Sequence, residues 1–195
     1  MSFLEKVQIL ATPPQNVAWT GYKPKEMNLK MYADMAKDKR KKIIEELGEE
    51  IFLYSLPDKY VVLDLKNQKV VYLVQYVKKN IFGKTGITQV QVWRDRTVGV
   101  TEGLAKKIFF DYLFPQADCI VTDKQQTQYG RAFWETRIYE SFGKNLPVYL
   151  LDQNAKTQTL LETSYDFDDL ADTWYGDDPK YQGRKIAVCH KKLWS

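Results

Sequence analysis

A chain of 195 residues holds about one domain at roughly 100–200 residues each, and 44% hydrophobic with 14% aromatic residues, 13 Tyr and 5 Trp among them, supplies a packed core and excludes wholesale disorder. No apolar run approaches the roughly 18 residues of a membrane span, and Met1 to Leu10 lacks the basic flank and long apolar stretch of a secretory signal, so a cytosolic chain with no membrane partner is expected. Two cysteines, Cys119 and Cys189, and the single His190 make no metal-ligand spacing, which sets aside metal and Ser-His-Asp chemistry.

Phe3 to Leu10 is short and apolar enough for a first strand, ended by Thr12, Pro13 and Pro14. Asn28 can cap a helical region with Tyr32, Met35, Ala36, Ile43 and Leu47 on one face, up to Gly48. Within it, residues 37–42 carry five basic side chains, suited either to a solvated helix face or to contact with nucleic acid. Tyr60 to Leu65 and Val70 to Val77 are β-branched and aromatic around the polar turn Lys66, Asn67, Gln68, which predicts an antiparallel hairpin. Asp64, alternating with apolar residues there, stands between a site role and solvent exposure. After a Gly83 to Gly86 loop, Ile87 to Trp93 alternates as a third strand.

From Thr101 the period changes to helical, with Leu104, Ile108, Phe109 and Tyr112 on one face until Pro115. Cys119 to Thr122 reads as a brief buried strand. Thr127 can cap a second helix with Trp134, Ile138 and Phe142 on one side, stopped by Gly143. Val148 to Leu151 and Lys185 to Cys189 read as strands, and Asp166 to Tyr175 as an acidic helix between them. Residues 162–178 hold seven acids and no Lys or Arg, a helical insertion unable to follow a phosphate chain. This order predicts one α/β (α+β) domain over 1–195, a mixed central sheet with helices on both faces.

Residues 66–107 hold nine Lys/Arg against Asp95 and Glu102, a local net of +7 that invites an anion. The junction inside it, Trp93, Arg94, Asp95, Arg96, Thr97, Val98, Gly99, Val100, Thr101, Glu102, Gly103, Leu104, ends a strand and opens a helix. Free helix N–H groups, a positive dipole end and a glycine that lets the backbone come close make it an anion cradle. Arg94, Arg96 and Lys106 or Lys107 add charge-assisted contacts.

Arg96-x-x-Gly99-x-Thr101-x-x-Leu104 resembles the acetyl-CoA pyrophosphate loop of GNAT-type acyltransferases, and the element order over about residues 6–151 is similar to theirs. The resemblance implies a GNAT-like, mostly antiparallel sheet and acetyl-CoA or another acyl-CoA as cofactor. It implies cofactor binding by Trp93, Arg94, Arg96, Val98, Gly99, Val100, Thr101, Glu102 and Gly103. Thr101 departs from the usual Gly or Ala. In acetylating members an Asn follows the fifth strand and a Tyr seven residues later protonates the leaving thiolate; those positions carry Thr127 and Trp134 here, and an indole N–H has no usable acidity. Tyr129 and Tyr139 on the same helix are the phenols nearby, and Asp123, where the fourth and fifth strands splay, can take a proton from an acceptor amine.

Three expectations follow. One is an acyl-CoA-dependent N-acyltransferase without a metal, its acceptor amine unspecified. The second is a GNAT-like enzyme acting on nucleic acid, as phage Mom-type DNA modification proteins do, with residues 37–42 as the contact. The third is a non-catalytic GNAT-like subunit of a larger, phage-like protein assembly.

Overall fold

Among the described residues the first helix begins at Pro24 rather than at Asn28. In the computed structural model, which describes residues 24–95, 98–101, 103–122, 128–170 and 183–194, α1 spans Pro24–Lys37. Asn28 lies inside it and pairs with strand backbone instead: its Nδ2 donates to the Val70 carbonyl at 2.9 Å and its Oδ1 accepts the Val70 N–H at 2.8 Å. The predicted strand Phe3 to Leu10 lies outside the described residues.

The chain divides into two units, residues 1–76 with 90–108 and residues 77–89 with 109–195. Strands β1 (Lys42–Gly48), β2 (Ile51–Leu56), β3 (Lys59–Asp64), β4 (Lys69–Ile81), β5 (Lys84–Arg94), β6 (Cys119–Val121), β7 (Val148–Asp152), β8 (Thr157–Leu161) and β9 (Arg184–Cys189) pair in the order β1-β2-β3-β4-β5-β6-β9-β7-β8. The protein is therefore mixed α and β, with a nine-stranded, mostly antiparallel sheet.

In the first unit, β1, β2, β3 and the start of β4 form a meander. Met31 and Met35 of α1 cover it, packing with Tyr54, Leu56, Val61, Leu63, Val70 and Leu73. At about 1.5–3 kcal/mol for each large apolar side chain taken out of water, this face holds the helix in place. The helix does not continue to Gly48 as its period suggested. Ile43 and Leu47 belong to β1, and Ile43 is 64% exposed. The β-branched pair Ile43–Ile44 favours the extended chain, and Ile43 falls on the helical period of Tyr32 and Ala36 only by coincidence of spacing. Asp64 faces neither solvent nor a ligand; buried, it accepts the Asn67 N–H and side-chain amide, both at 2.8 Å, and braces the β3–β4 turn.

In the second unit, α2 (Leu104–Lys107, its residues still in the first unit) leads into a π-helical turn, Ile108–Leu113, and a 3-10 turn, Phe114–Gln116. The predicted single α-helix widens because of its apolar spacing. Ile108 and Leu113, like Phe109 and Phe114, are five apart, roughly 140° around an α-helix; a turn closing i to i+5 nearly superimposes them. All four are buried. Helix α3 (Gln128–Gly143) packs its aromatics on Phe109, whose ring centroid lies 5.7 Å from that of Trp134 and 6.3 Å from that of Phe133. Helix α4 is short, Ser164–Asp168, with a capping box between Thr163 and Asp166; the rest of the predicted acidic helix, from residue 171, lies outside the described residues.

Beyond α3, β7 pairs with β8 and β9, and β9 also pairs with β6, all antiparallel. Cys119 and Cys189 stand opposite each other on β6 and β9 as buried free thiols. A hydrogen bond to Cys119, reinforced by burial, pushes the Cys189 thiol up. Gly86 on β5 lies where a Cβ would be 2.5 Å from Ile81 Cγ1 and 3.4 Å from Val121 Cγ2. Gly86→Ala is therefore expected to cost about 1–3 kcal/mol by overpacking. Urea denaturation of Gly86→Ala, Ile81→Ala and the double variant checks this: the double should lose less than the sum, and additive losses contradict the contact.

Candidate functional site

The glycine junction follows β5. The Asp95 N–H donates to the Val71 carbonyl at 2.9 Å, its carboxylate is 3.2 Å from Lys69 Nζ, and its carbonyl accepts the Val98 N–H at 3.5 Å. Gly99–Thr101 form a 3-10 turn, and Gly103, with φ 73°, precedes Leu104 in a left-handed conformation that favours glycine. No side chain caps this helix start. Val98 and Val100 are half-buried, and Val100 Cγ1 lies 3.7 Å from where a Cβ on Gly48 would stand. Gly99 is different from Gly103: its φ is not in the left-handed region, and a Cβ would meet nothing within 4 Å. Neither conformation nor packing within the described residues calls for glycine at 99.

Arg94 and Lys106 are exposed beside this turn. Lys107, expected to face an anion, instead binds Glu45, with Nζ 2.6 Å from Oε1. Arg96, Glu102 and Asp123 lie outside the described residues, as does Thr127; Trp93, Thr101 and Tyr129 are described by their backbone alone. The +7 of residues 66–107 is not one cluster either. Lys69 and Lys107 are paired, and Lys78, Lys79 and Lys84 belong to the second unit.

The second feature is the parallel pairing of β5 with β6. Among the described residues it joins Gly86, Ile87 and Thr88 to Cys119, Ile120 and Val121, while β5 continues to Arg94. At this point Thr88, Gln89 and Thr122 are buried polar residues. Thr122 Oγ1 accepts the Ile186 N–H at 3.0 Å, whereas Thr88 Oγ1 and Gln89 Oε1 have no hydrogen-bond partner among the described residues. Sequence reasoning passed over Thr88 and Gln89 because on an alternating strand they read as ordinary polar positions.

Of the phenols, Tyr139 is 45% exposed and donates to the Asp168 carboxylate, with its ring 5.6 Å from that of Phe167. The hydrogen bond to Asp168 pushes its pKa up to about 12. The contact thus contributes stability in full below the ordinary phenol value of about 10 and loses it as pH rises through about 12. Asp168→Asn should bring one phenol down from near 12 in a near-ultraviolet tyrosinate titration; an unchanged curve contradicts the assignment. Trp134, at the position of the family's acid, is 3% exposed and packed among aromatics.

Of the five bases in 37–42, Arg40 is drawn to Asp38, with Nη2 2.7 Å from Oδ2, and Lys41 donates to the Ala36 carbonyl at the end of α1 while lying 5.8 Å from the Tyr54 ring centroid. The Arg40 hydrogen bonds hold the Asp38 carboxyl far below the usual range. Among the described residues, no helix is long and apolar enough to cross a membrane.

No family model, curated protein or solved structure matches the chain.

Proposed function

We propose that the protein is an acyl-CoA-dependent N-acyltransferase of GNAT type. The observation that carries this reading is the parallel β5–β6 pair, which among the described residues reaches Thr88 and Val121 while β5 runs on into the glycine junction. A parallel strand pair ahead of such a loop is in keeping with the arrangement that the family resemblance implies. That no contact among the described residues requires glycine at 99 is compatible with it.

In this reading the 98–103 turn takes the pyrophosphate through backbone N–H groups, and the cations Arg94 and Lys106, with Arg96, neutralise it. Acyl-CoA, when bound, would supply an activated thioester. Backbone groups of β5 beyond Thr88 would orient the thioester carbonyl, and an N–H there would stabilise the charge that develops on oxygen. Asp123 or a water relay would take the acceptor's proton as the amide C–N bond forms and the thioester C–S bond breaks, and that proton would leave with the CoA thiolate as free thiol.

A second reading has its own observation. Trp134 is buried and has no acidity to offer, and Tyr139 is engaged as a hydrogen-bond donor to Asp168 with its pKa raised, which favours a GNAT-like subunit that binds CoA without transferring from it. Release of free CoA thiol from acetyl-CoA in the presence of polyamine and lysine-peptide acceptors separates the two. Acceptor-dependent release supports the enzyme; saturable CoA binding with no release supports the subunit; no binding overturns both.

A further inference from the structure

The lysines that leave the glycine junction gather in the second unit. β4 and β5 meet at Phe82 and Gly83, with φ 47° and 79°, the positive-φ pair of a tight two-residue hairpin. Asn80 Oδ1 accepts the Gly83 N–H at 2.8 Å. The last described residues are pinned to this tip. Trp194 Nε1–H donates to the Phe82 carbonyl at 3.3 Å, and its ring meets those of Phe82 and Tyr149 edge-on at 6.4 and 5.0 Å. The Leu193 N–H donates to the Tyr149 hydroxyl at 3.2 Å, and that hydroxyl donates to the Trp194 carbonyl at 3.1 Å.

Residues 77–86 and 189–194 carry Lys78, Lys79, Lys84, Lys191 and Lys192 and no Asp or Glu. Lys84 is half-buried and the other four are exposed. None of the five has an ion pair or hydrogen bond among the described residues, and Asp118, the carboxylate that contacts the hairpin, is committed to the Thr85 N–H at 2.8 Å. Each lysine is within four residues of Phe82 or Trp194, at most about 14 Å of chain. Like charges at such spacing repel, yet directed hydrogen bonds and ring contacts hold the two segments together.

We propose that the β4–β5 hairpin and residues 190–194 form a docking surface for single-stranded nucleic acid, its phosphates neutralised by these five lysines. Strand alternation puts Lys78 on the opposite face of β4 from Lys79. A flat membrane, or a duplex stiff over about 150 base pairs, meets one face of a hairpin, whereas a flexible strand follows both. Phe82 and Trp194, half-buried among the charges, add the aromatic surface on which single strands stack. The surface is independent of the acyltransferase reading and separate from residues 37–42.

The test is fluorescence anisotropy of a labelled oligodeoxythymidine of about 20 nucleotides with the full chain. Five phosphate contacts predict roughly a hundredfold loss of affinity between about 50 and 200 mM salt. Lys79→Gln/Lys84→Gln/Lys191→Gln/Lys192→Gln should bind at least about tenfold more weakly at low salt with an unchanged thermal midpoint, whereas Lys37→Gln/Lys39→Gln/Lys42→Gln should stay within about twofold. No binding at low salt, equal losses in the two variants, or preference for a duplex of the same length or for phosphatidylserine vesicles overturns the proposal.

Discussion

Trp134→Ala is expected to lower the unfolding free energy by about 3–5 kcal/mol, the range for deleting a buried aromatic. The side chain is 3% exposed, and its ring meets Phe109 and Phe133 edge-on, each at 5.7 Å between centroids. Phe109, itself fully buried, also touches Phe110, Phe114 and Phe133, so the void left by the indole opens at the centre of the second unit's aromatic cluster. An aromatic cluster of this kind collapses poorly, which puts the loss at the large end for single substitutions. Urea denaturation with matched m-values measures it. A fully stable Trp134→Ala that loses an activity selectively would instead make Trp134 a site residue. Trp134→Tyr is the companion variant: if the fold binds CoA and lacks only a proton donor, it should gain acyl transfer.

Gly99→Val should act in the opposite sense, leaving the fold and removing the ligand. Its φ is outside the left-handed region and a Cβ would meet nothing within 4 Å among the described residues, so stability should change by no more than about 0.5 kcal/mol, as at other unencumbered surface sites. A branched side chain at 99 would nevertheless stand where a pyrophosphate has to approach backbone N–H groups, and CoA affinity should fall by more than tenfold. Thermal denaturation and CoA binding on the same sample check both halves. A large drop in stability would mean that the glycine serves the fold.

Local chemistry made much of the fold legible. The β3–β4 hairpin was readable because β-branched runs flank Lys66, Asn67 and Gln68, and α3 because Trp134 and Ile138 repeat at helical spacing before Gly143. β1 and β2 were not, since Ile43 and Leu47 continue the period of α1 across the break at Asp38, and pairing partners decide a strand more than its own residues do. The π-helical turn escaped because Ile108, Phe109, Leu113 and Phe114 satisfy a helical template loosely; only burial of all four distinguishes the wider turn. Charge was the least legible property. Of the basic residues in 66–107, Lys107 and Lys69 pair with Glu45 and Asp95, and Lys78, Lys79 and Lys84 belong to the second unit with Lys191 and Lys192. The candidate site was visible as a motif at residues 94–104, whereas Thr88 and Gln89 became candidates only once the β5–β6 pairing was seen beside them.

The central claim is that the 98–103 turn holds the pyrophosphate of CoA. Isothermal titration of CoA into the wild-type chain and into Gly99→Val, with inorganic pyrophosphate as competitor, tests it most directly. The account predicts saturable binding to the wild type at one site per chain, weakened by pyrophosphate and lost in the variant. No binding of CoA at millimolar concentration, or the same affinity in both proteins, would contradict it.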